Sequence, residues 1–424
     1  MTIHIVSTGE TVQSIAQQYG VSPWLLAQQN QLPEDSALAV GQALIVQFPV
    51  QTHTVSRGES LYGIARRYGV TVQSLLQNNY FLLGHSTVRP GQELIISLRE
   101  PTGGKMEVIG YAYPIIAQEV LSQQLPYLHA LLPFTYGITA EGGLIPPGDE
   151  RLVESARSYG VAPWMSLSTL TEMGNFSSPL AQRLLTSPAA RERLVQAVAD
   201  TMQHKGYRGL GVDFEYLPAV LGLPYATFIA DLRRRLAPLG YPVMVALAPK
   251  TADNQPGILY EGHDYAALGA GADLALLMTY EWGYTYGPPM AVSPLPQVRR
   301  VVEYARSVIP PEKILLGMPT YGYDWTLPYE RGETRAQSLS PQSALALARQ
   351  YGVAIRYDET AQSPWFRYED GQRQHEVWFE DARSAQAKLA LVPQYGLRGV
   401  GLWNLTRLFP QLFVTLNDQY VLRP

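Results

Sequence analysis

The chain has 424 residues, of which 46% are hydrophobic and 16% are charged, and it contains no cysteine. This length suits more than one domain, and the missing cysteines exclude disulfide bonds, thiol catalysis and Cys-ligated zinc. The formal net charge of −4 does not supply the basic surface that phosphate binding needs, so no nucleic-acid partner is expected. No metal or cofactor is expected either, since the seven histidines are scattered and nucleotide-binding loops are missing.

Two segments near the N-terminus are copies of one another. The segment from His4 to Glu10 returns from His53 to Glu59, and a later segment from Val40 to Val46 returns from Arg89 to Ile96. A repeat of roughly 50 residues indicates two tandem supersecondary units. Each unit is predicted to fold as a strand, two helices and a closing strand. We place the units at residues 1–48 and 51–98 and a linker containing Pro and Gly at residues 99–106.

The repeated pattern resembles LysM, a small βααβ module that binds glycans containing N-acetylglucosamine. The resemblance implies that the sugar lies between the loop after the first strand and the loop after the second helix. Polar, uncharged turns in these places suit hydrogen bonds to hydroxyl and acetamide groups. The glycan-binding residues implied are Gly9, Thr11 and Asn30 in the first module and Gly58, Ser60 and Asn79 in the second. The alternative is a pair of structural repeats without a ligand.

The rest of the chain, residues 107–424, alternates short apolar runs with amphipathic segments eight times. Apolar strands alternating with helices predict a parallel sheet covered by helices, and eight such units predict a (β/α)₈ TIM barrel. The predicted strands are 108–113, 130–138, 162–167, 209–215, 243–249, 274–280, 314–321 and 399–404. The predicted helices include 151–159, 191–204, 225–239, 295–308, 341–351 and 381–395.

The interval between the seventh and eighth strands, residues 324–380, is too long for a single helix. It contains apolar and aromatic runs at residues 354–358, 365–368 and 376–379, with a hairpin turn predicted at residues 369–372. We therefore predict a small α+β insertion on the rim of the barrel, where it helps to wall a groove.

The fourth predicted strand ends with two carboxylates, Asp213 and Glu215. Side chains alternate along a strand, so Gly211, Asp213 and Glu215 share one face. In a TIM barrel the C-terminal ends of the strands carry the active site. Two like charges this close raise one pKa, which gives a proton donor beside a charged neighbour. An arbitrary Asp-x-Glu is more often a surface pair, but the position in the barrel favours catalysis.

This segment resembles the Asp-x-x-Asp-x-Asp-x-Glu signature of family-18 glycoside hydrolases. The resemblance implies that Glu215 is the general acid and that Asp213 is its neighbouring carboxylate. The two earlier aspartates of the signature align with Arg208 and Gly211. A glycine at 211 removes the carboxyl group that usually shares a proton with its neighbour, which leaves the tuning of Asp213 open.

Three further strands extend the resemblance over nearly all of residues 107–405. On the sixth, it implies that the Tyr280 hydroxyl holds the acetamido carbonyl of the substrate; on the eighth, that Trp403 is the floor of the −1 sugar site. The implied catalytic residues are Glu215, Asp213 and Tyr280, and the implied substrate-binding residues are Tyr111, Met278, Trp282, Trp403 and Asn404.

The mechanism implied by the resemblance is substrate-assisted retention, an exception to the scheme with two catalytic carboxylates. Glu215 protonates the leaving oxygen while the substrate's own 2-acetamido oxygen attacks the anomeric carbon. Asp213 and Tyr280 orient the acetamide and stabilise the oxazolinium ion, and Glu215 then acts as base for water.

Two LysM modules followed by this barrel resemble the peptidoglycan N-acetylglucosaminidases that endospore-forming bacteria use on the spore cortex, the cortical fragment lytic enzymes. A monomer is expected, and no stretch reaches the length of a membrane span, so no contact with a membrane is expected. The resemblance implies peptidoglycan as the partner. It also implies deposition in the coat and cortex region from the mother cell, without a signal peptide. Two alternatives stay open: a chitinase or chitooligosaccharidase, and a non-catalytic lectin on the same barrel. Glu215 argues against the lectin, and Gly211 keeps it open.

Overall fold

The structure is a computed structural model that describes residues 1–32, 37–85, 87–170, 175–371 and 373–422. Its N-terminal part contains the two predicted βααβ modules, which confirms their fold. Module 1 contains β1 (Thr2–Ile5), α1 (Val12–Tyr19), α2 (Pro23–Gln29) and β2 (Ala43–Val46), and module 2 contains β3 (Gln51–Thr54), α3 (Leu61–Tyr68), α4 (Val72–Asn78) and β4 (Glu93–Ser97). The two strands of each module pair antiparallel.

The same local signals bound the first helix of each module. The side chains of Thr11 and Ser60 accept hydrogen bonds from backbone N–H groups of the first turn, as N-cap residues do. Each helix stops at a glycine in the left-handed region, Gly20 with φ 66° and Gly69 with φ 68°. The repeat in sequence therefore reproduces the same caps twice.

The barrel region confirms the predicted (β/α)₈ architecture. In chain order it begins with β5 (Lys105–Ala112), α5 (Gln118–Gln124), β6 (Ala130–Pro133), β7 (Gly137–Ile138), β8 (Leu144–Ile145), α6 (Glu150–Ser158), β9 (Ala162–Pro163), β10 (Met165–Ser168), α7 (Ser178–Thr186), α8 (Pro188–Lys205), β11 (Leu210–Asp213), α9 (Gly222–Leu236), β12 (Val243–Leu247), α10 (Tyr265–Gly271), β13 (Leu274–Leu277), α11 (Leu295–Val308) and β14 (Ile314–Pro319). It resumes after the insertion with α13 (Ala382–Leu389), α14 (Leu391–Tyr395), β20 (Gly399–Trp403), α15 (Pro410–Gln419) and β21 (Val421–Leu422).

The barrel sheet has the strand order β10-β11-β12-β13-β14-β20-β5-β6-β9, with parallel neighbours throughout. β9 and β10 are the two halves of the third predicted strand, interrupted at Trp164, so they close the ring from both ends. Apolar side chains fill the space between the strands and the surrounding helices. Among the described residues, no helix combines the length and apolarity needed to cross a bilayer.

The insertion between β14 and β20 is the predicted α+β unit. It consists of β15 (Gly322–Leu327), β16 (Gln337–Leu339), α12 (Pro341–Gln350), β17 (Arg356–Asp358), β18 (Ser363–Asp370) and β19 (Arg373–Trp378). The five strands form an antiparallel sheet in the order β16-β15-β19-β18-β17. β18 and β19 form the predicted hairpin, with Gly371 in its turn at φ 64°; Gln372, the last residue of the predicted turn, lies outside the described residues.

Candidate active site

A cavity of about 170 Å³ lies at the C-terminal ends of the barrel strands. Its lining residues are Asp213, Glu215, Pro249, Leu259, Tyr260, Met278, Tyr280, Glu281, Trp282 and Trp403. Six of the eight barrel residues singled out in the sequence therefore meet at one cavity. They come from strands that are distant in sequence, and the parallel register brings their ends to the same face of the barrel.

Asp213 is the last residue of β11 and is 6% exposed. Its Oδ1 is buried and has no hydrogen-bond partner among the described residues. Burial raises the pKa of Asp213 to about 7, because the charged form loses hydration that nothing here replaces. The group is therefore poised to gain or lose a proton near neutral pH.

Glu215 lies two residues beyond the end of β11 and is partly buried. Burial raises its pKa well above the ordinary range, and the negative charges of Asp213 and Glu281 raise the pKa further. A glutamic acid whose pKa is raised in this way holds its proton more firmly, which is the property that a general acid needs.

Four residues of the cavity lining were not predicted from the sequence: Pro249, Leu259, Tyr260 and Glu281. Glu281 is the carboxylate among them. Glu281 follows Tyr280 and has φ 67°. Its side chain accepts hydrogen bonds from the hydroxyl groups of Tyr321 and Tyr323, the latter at 3.0 Å. Burial raises the pKa of Glu281, and these two hydrogen bonds oppose the rise. The two tyrosines lie some forty residues further along the chain, where β14 runs into the insertion. Local sequence therefore gave no sign of the contact.

Three aromatic rings pack against Trp403, the aromatic residue that β20 contributes to the cavity. The ring of Trp403 lies 4.8 Å from that of Phe134, 5.6 Å from that of Tyr111 and 5.9 Å from that of Tyr113, centroid to centroid, with interplanar angles between 65° and 79°. Edge-to-face packing of this kind fixes ring orientation. Tyr111 thus packs against Trp403 outside the cavity lining, and its buried hydroxyl has no hydrogen-bond partner among the described residues.

The packing around Gly211 shows what replaces the aspartate of the family signature. A Cβ atom at this position would lie 2.7 Å from Cδ2 of Leu132, 3.1 Å from Cε of Met244 and 3.4 Å from the hydroxyl oxygen of Tyr111. Apolar side chains therefore occupy the space that a second carboxyl group would need. Asp213 is therefore buried without the neighbouring carboxyl group that the family signature has at position 211.

Asn404 does not join the cavity lining, although the sequence analysis placed it among the substrate-binding residues. Its Oδ1 accepts a hydrogen bond from the backbone N–H of Thr406 at 3.0 Å. Its carbonyl oxygen accepts one from the hydroxyl of Thr320 at 2.5 Å. The carbonyl bond ties the segment after β20 to the end of β14, and the side-chain bond supports the local turn. A contact of Asn404 with substrate stays a prediction.

Asn30 and Asn79 hold matching positions in the two modules and make matching side-chain hydrogen bonds. The Nδ2 group of Asn30 donates to the carbonyls of Leu26 and Ile45, and its Oδ1 accepts from Ile45 N–H. Asn79 makes the equivalent three bonds in module 2 and is fully buried. These side chains fasten the second helix to the closing strand. Their contact with sugar stays a prediction.

The other predicted module residues remain accessible. Gly9, Thr11, Gly58 and Ser60 are all exposed, and the two glycines have φ 84° and φ 85°. Their conformation is one that side chains rarely adopt, which explains the glycine in each copy of the turn. Their role in glycan binding stays a prediction.

Comparison with known proteins places this geometry in a family. The model of glycosyl hydrolases family 18 matches residues 152–407, and the LysM model matches residues 4–47 and 53–97. The chain therefore belongs to family 18 of the glycosyl hydrolases and carries two LysM modules; it is a glycoside hydrolase.

Particular relatives share the whole arrangement. The chain is 39% identical to the cortical fragment-lytic enzyme of Bacillus subtilis, over 99% of this chain and 98% of that protein. The crystal structure of the Bacillus cereus spore cortex-lytic enzyme SleL is 36% identical and has a TM-score of 0.84, with 99% of this chain and 98% of that chain covered. A chitinase from Chromobacterium violaceum, 28% identical with a TM-score of 0.69, covers 74% of this chain and 98% of its own.

Proposed function

We propose that this protein is a spore-cortex N-acetylglucosaminidase that cleaves peptidoglycan after N-acetylglucosamine, with retention and substrate assistance. The single observation that supports it most is the cavity where Asp213 and Glu215 stand beside Tyr280 and Trp403. The similarity of the entire chain to a cortical fragment-lytic enzyme supports the choice of polymer. The same similarity supports a location in the coat and cortex region of the spore.

In the proposed mechanism, Glu215 holds its proton because burial and two neighbouring negative charges raise its pKa. It gives this proton to the leaving oxygen while the substrate's acetamido oxygen attacks the anomeric carbon. The developing positive charge forms beside Asp213, whose buried Oδ1 has no hydrogen-bond partner among the described residues. Glu215 then takes a proton from the water that opens the oxazolinium ion.

The proposed cleavage position follows from the nucleophile. A muramic lactam has its nitrogen tied into a ring, so it offers no acetamido oxygen to attack. On spore cortex the sugar at −1 is therefore N-acetylglucosamine. Mass spectrometry of cortex fragments after digestion tests this, because every new reducing end is expected to be N-acetylglucosamine. New reducing ends on muramic residues would contradict the proposal.

A chitinase is the second candidate, since a chitinase shares the barrel over 74% of this chain. Both candidates use the same carboxylates, so only the polymer separates them. Digestion of purified chitin and purified cortex fragments side by side is the test. Faster release of products from cortex is expected, and faster release from chitin would favour the second candidate.

A further inference from the structure

A second groove, of about 580 Å³, lies between the two LysM modules. Module 1 contributes Trp24 and Gln28 from α2, while module 2 contributes the loop after α4, including Phe81, His85 and Arg89. The opposite wall is thus a neighbouring module and not the loop at residues 56–60 that the LysM pattern predicts. A hydrogen bond of 2.7 Å from the side chain of Gln29 in module 1 to the carbonyl of Asn78 in module 2 joins the modules beside α2 and α4.

In module 1 the equivalent turn, residues 39–41, packs against the insertion. Ala39 and Arg89 are equivalent, since each backbone N–H donates to the glutamine side chain three residues later. Ala39 is buried in an apolar cluster of the insertion, whereas Arg89 is exposed. A Cβ at Gly41 would lie 1.9 Å from the carbonyl oxygen of Ile355, whereas one at the equivalent Gly91 meets nothing within 4 Å.

The second helices of the two modules also differ in what they face. Gln73 and Gln77 of module 2 both donate to the carbonyl of Pro126 in the barrel, at 3.2 and 2.7 Å. The equivalent positions of module 1 are Trp24 and Gln28, which line the groove. The rings of Trp24 and Phe81 lie 5.1 Å apart with an interplanar angle of 76°. The groove therefore has an aromatic wall that module 2 cannot supply from its own helix.

The two modules also differ in formal charge: module 1 is acidic and module 2 is basic. Residues 1–48 contain no lysine or arginine and three acidic residues, which gives a formal charge of −3. Residues 51–98 contain four arginines and two glutamates, which gives +2. Peptide stems of peptidoglycan carry carboxylates, so long-range attraction directs such a glycan to module 2.

We propose that the tandem holds one composite glycan site, formed by the loop after α4 together with Trp24 and Gln28 of module 1. The ligand is an N-acetylglucosamine-containing strand that bears acidic peptide stems. Trp24 and Phe81 contact the apolar face of a sugar, and Arg89 contacts a stem carboxylate. Module 1 supplies a wall and docks on the insertion. This inference rests on the proposed function, which makes peptidoglycan the substrate.

The test uses the full chain with Glu215→Gln, so that the ligand is not cut, and measures binding by calorimetry to soluble peptidoglycan fragments with and without peptide stems. Trp24→Ala is expected to weaken binding of both fragments by about tenfold, as loss of a central aromatic contact does. Arg89→Ala is expected to weaken only the fragment with stems, and less so at high salt.

Two variants at matched positions serve as controls. Gln73→Ala changes the residue equivalent to Trp24, and Arg66→Ala removes the same charge from an exposed position on α3. Both are expected to bind like the parent. The barrel cavity is the same in every variant, so differences report the modules. Arg89 is exposed, so Arg89→Ala keeps the test decisive if Trp24→Ala lowers stability.

Unchanged binding by Trp24→Ala and Arg89→Ala, with a parent that binds, would overturn the composite site alone. Equal losses in Arg66→Ala and Arg89→Ala would also overturn it, since charge without position would then explain binding. A parent that binds neither fragment would overturn the proposed anchoring to peptidoglycan as well.

Discussion

Asp149 and Asp213 are two buried aspartates of the same barrel in opposite surroundings. Burial tends to raise the pKa of Asp149, but hydrogen bonds from Lys205, Tyr207 and Tyr136 outweigh it and bring the pKa below the ordinary value. Asp213 has burial without such donors, and its pKa rises to about 7. Partners, and not burial, decide which carboxylate serves the fold. The one left without partners stands where substrate charge is expected to develop.

The largest effect is expected from Glu215→Gln, which removes the proton donor and keeps the shape. General acid catalysis contributes about 10² to 10⁴ in rate, so kcat on cortex fragments is expected to fall by that factor while fragment binding persists. Steady-state kinetics combined with calorimetry measures both. Near-normal turnover would remove Glu215 from the proposed mechanism.

Substrates with different leaving groups distinguish the role of Asp213 from that of Glu215, when Asp213→Asn is compared with Glu215→Gln. Asp213→Asn removes negative charge beside the forming cation, so its defect is expected to persist on aryl glycosides whose leaving group needs no proton. The defect of Glu215→Gln in the glycosylation step is expected to shrink on the same substrates. Equal behaviour of the two variants on both substrate types would contradict the assigned roles.

Replacing each of the two aspartates by asparagine is expected to change the stability of the protein in opposite directions. Asp149→Asn weakens a buried network with Lys205 and is expected to lower the free energy of unfolding by about 3 kcal/mol. Asp213→Asn is expected to raise it, because a buried carboxylate without a partner is removed. Urea denaturation of both variants beside the parent measures the difference, and a loss of stability in both would break the comparison.

The gain from Asp213→Asn is expected to depend on pH. The folded pKa of about 7 lies above the unfolded value of about 3.9, so the parent loses stability as pH rises between them. The asparagine variant does not titrate. Its advantage is therefore expected to be larger at pH 8 than at pH 5. An advantage that shrinks toward pH 8 would contradict the raised pKa.

Gly211→Asp tests whether this barrel accepts the carboxyl group of the family signature. Leu132 and Met244 leave no room for it, so overpacking is expected to cost about 1 to 3 kcal/mol of stability. Leu132→Ala added to Gly211→Asp is expected to recover part of that loss, whereas Leu132→Ala alone destabilises. Thermal denaturation of the three variants is the check, and a single Gly211→Asp as stable as the parent would contradict the packing argument.

The smallest effect is expected from Glu281→Gln. Its negative charge helps to raise the pKa of Glu215, so removing it lowers that pKa. The alkaline limb of the pH profile of kcat/KM is then expected to move to lower pH, because Glu215 loses its proton earlier. Glu192→Gln, on the exposed face of α8, serves as control and is expected to leave the limb in place. A shift to higher pH in Glu281→Gln would have the wrong sign.

The sequence predicts those features that depend on local pattern. Alternation of apolar strands and helices gave the barrel, and strand periodicity placed Asp213 and Glu215 on one face at its open end. The sequence did not predict contacts between distant segments. The tyrosine hydroxyls that donate to Glu281 come from the end of the seventh strand and from the insertion. The hydrogen bond between Asn79 and Ile95 on the closing strand was not predicted for the same reason.

The sequence also did not predict that module 1 packs against the insertion. The two copies share caps, turns and core positions, and these shared positions determine the βααβ fold. The substitutions that distinguish them, such as alanine or arginine at the equivalent positions 39 and 89, become meaningful only when the insertion is seen to cover one loop. Repeats therefore predict fold more directly than they predict equal function.

The measurement that tests the central claim most directly is NMR of the first anomer released from a soluble N-acetylglucosamine-containing fragment. Substrate assistance passes through an oxazolinium ion that water opens from the face the leaving group departed. The β-anomer is therefore predicted to appear first, with the α-anomer growing in only by mutarotation. An α-anomer formed first would mean direct attack by water and would contradict the substrate-assisted mechanism.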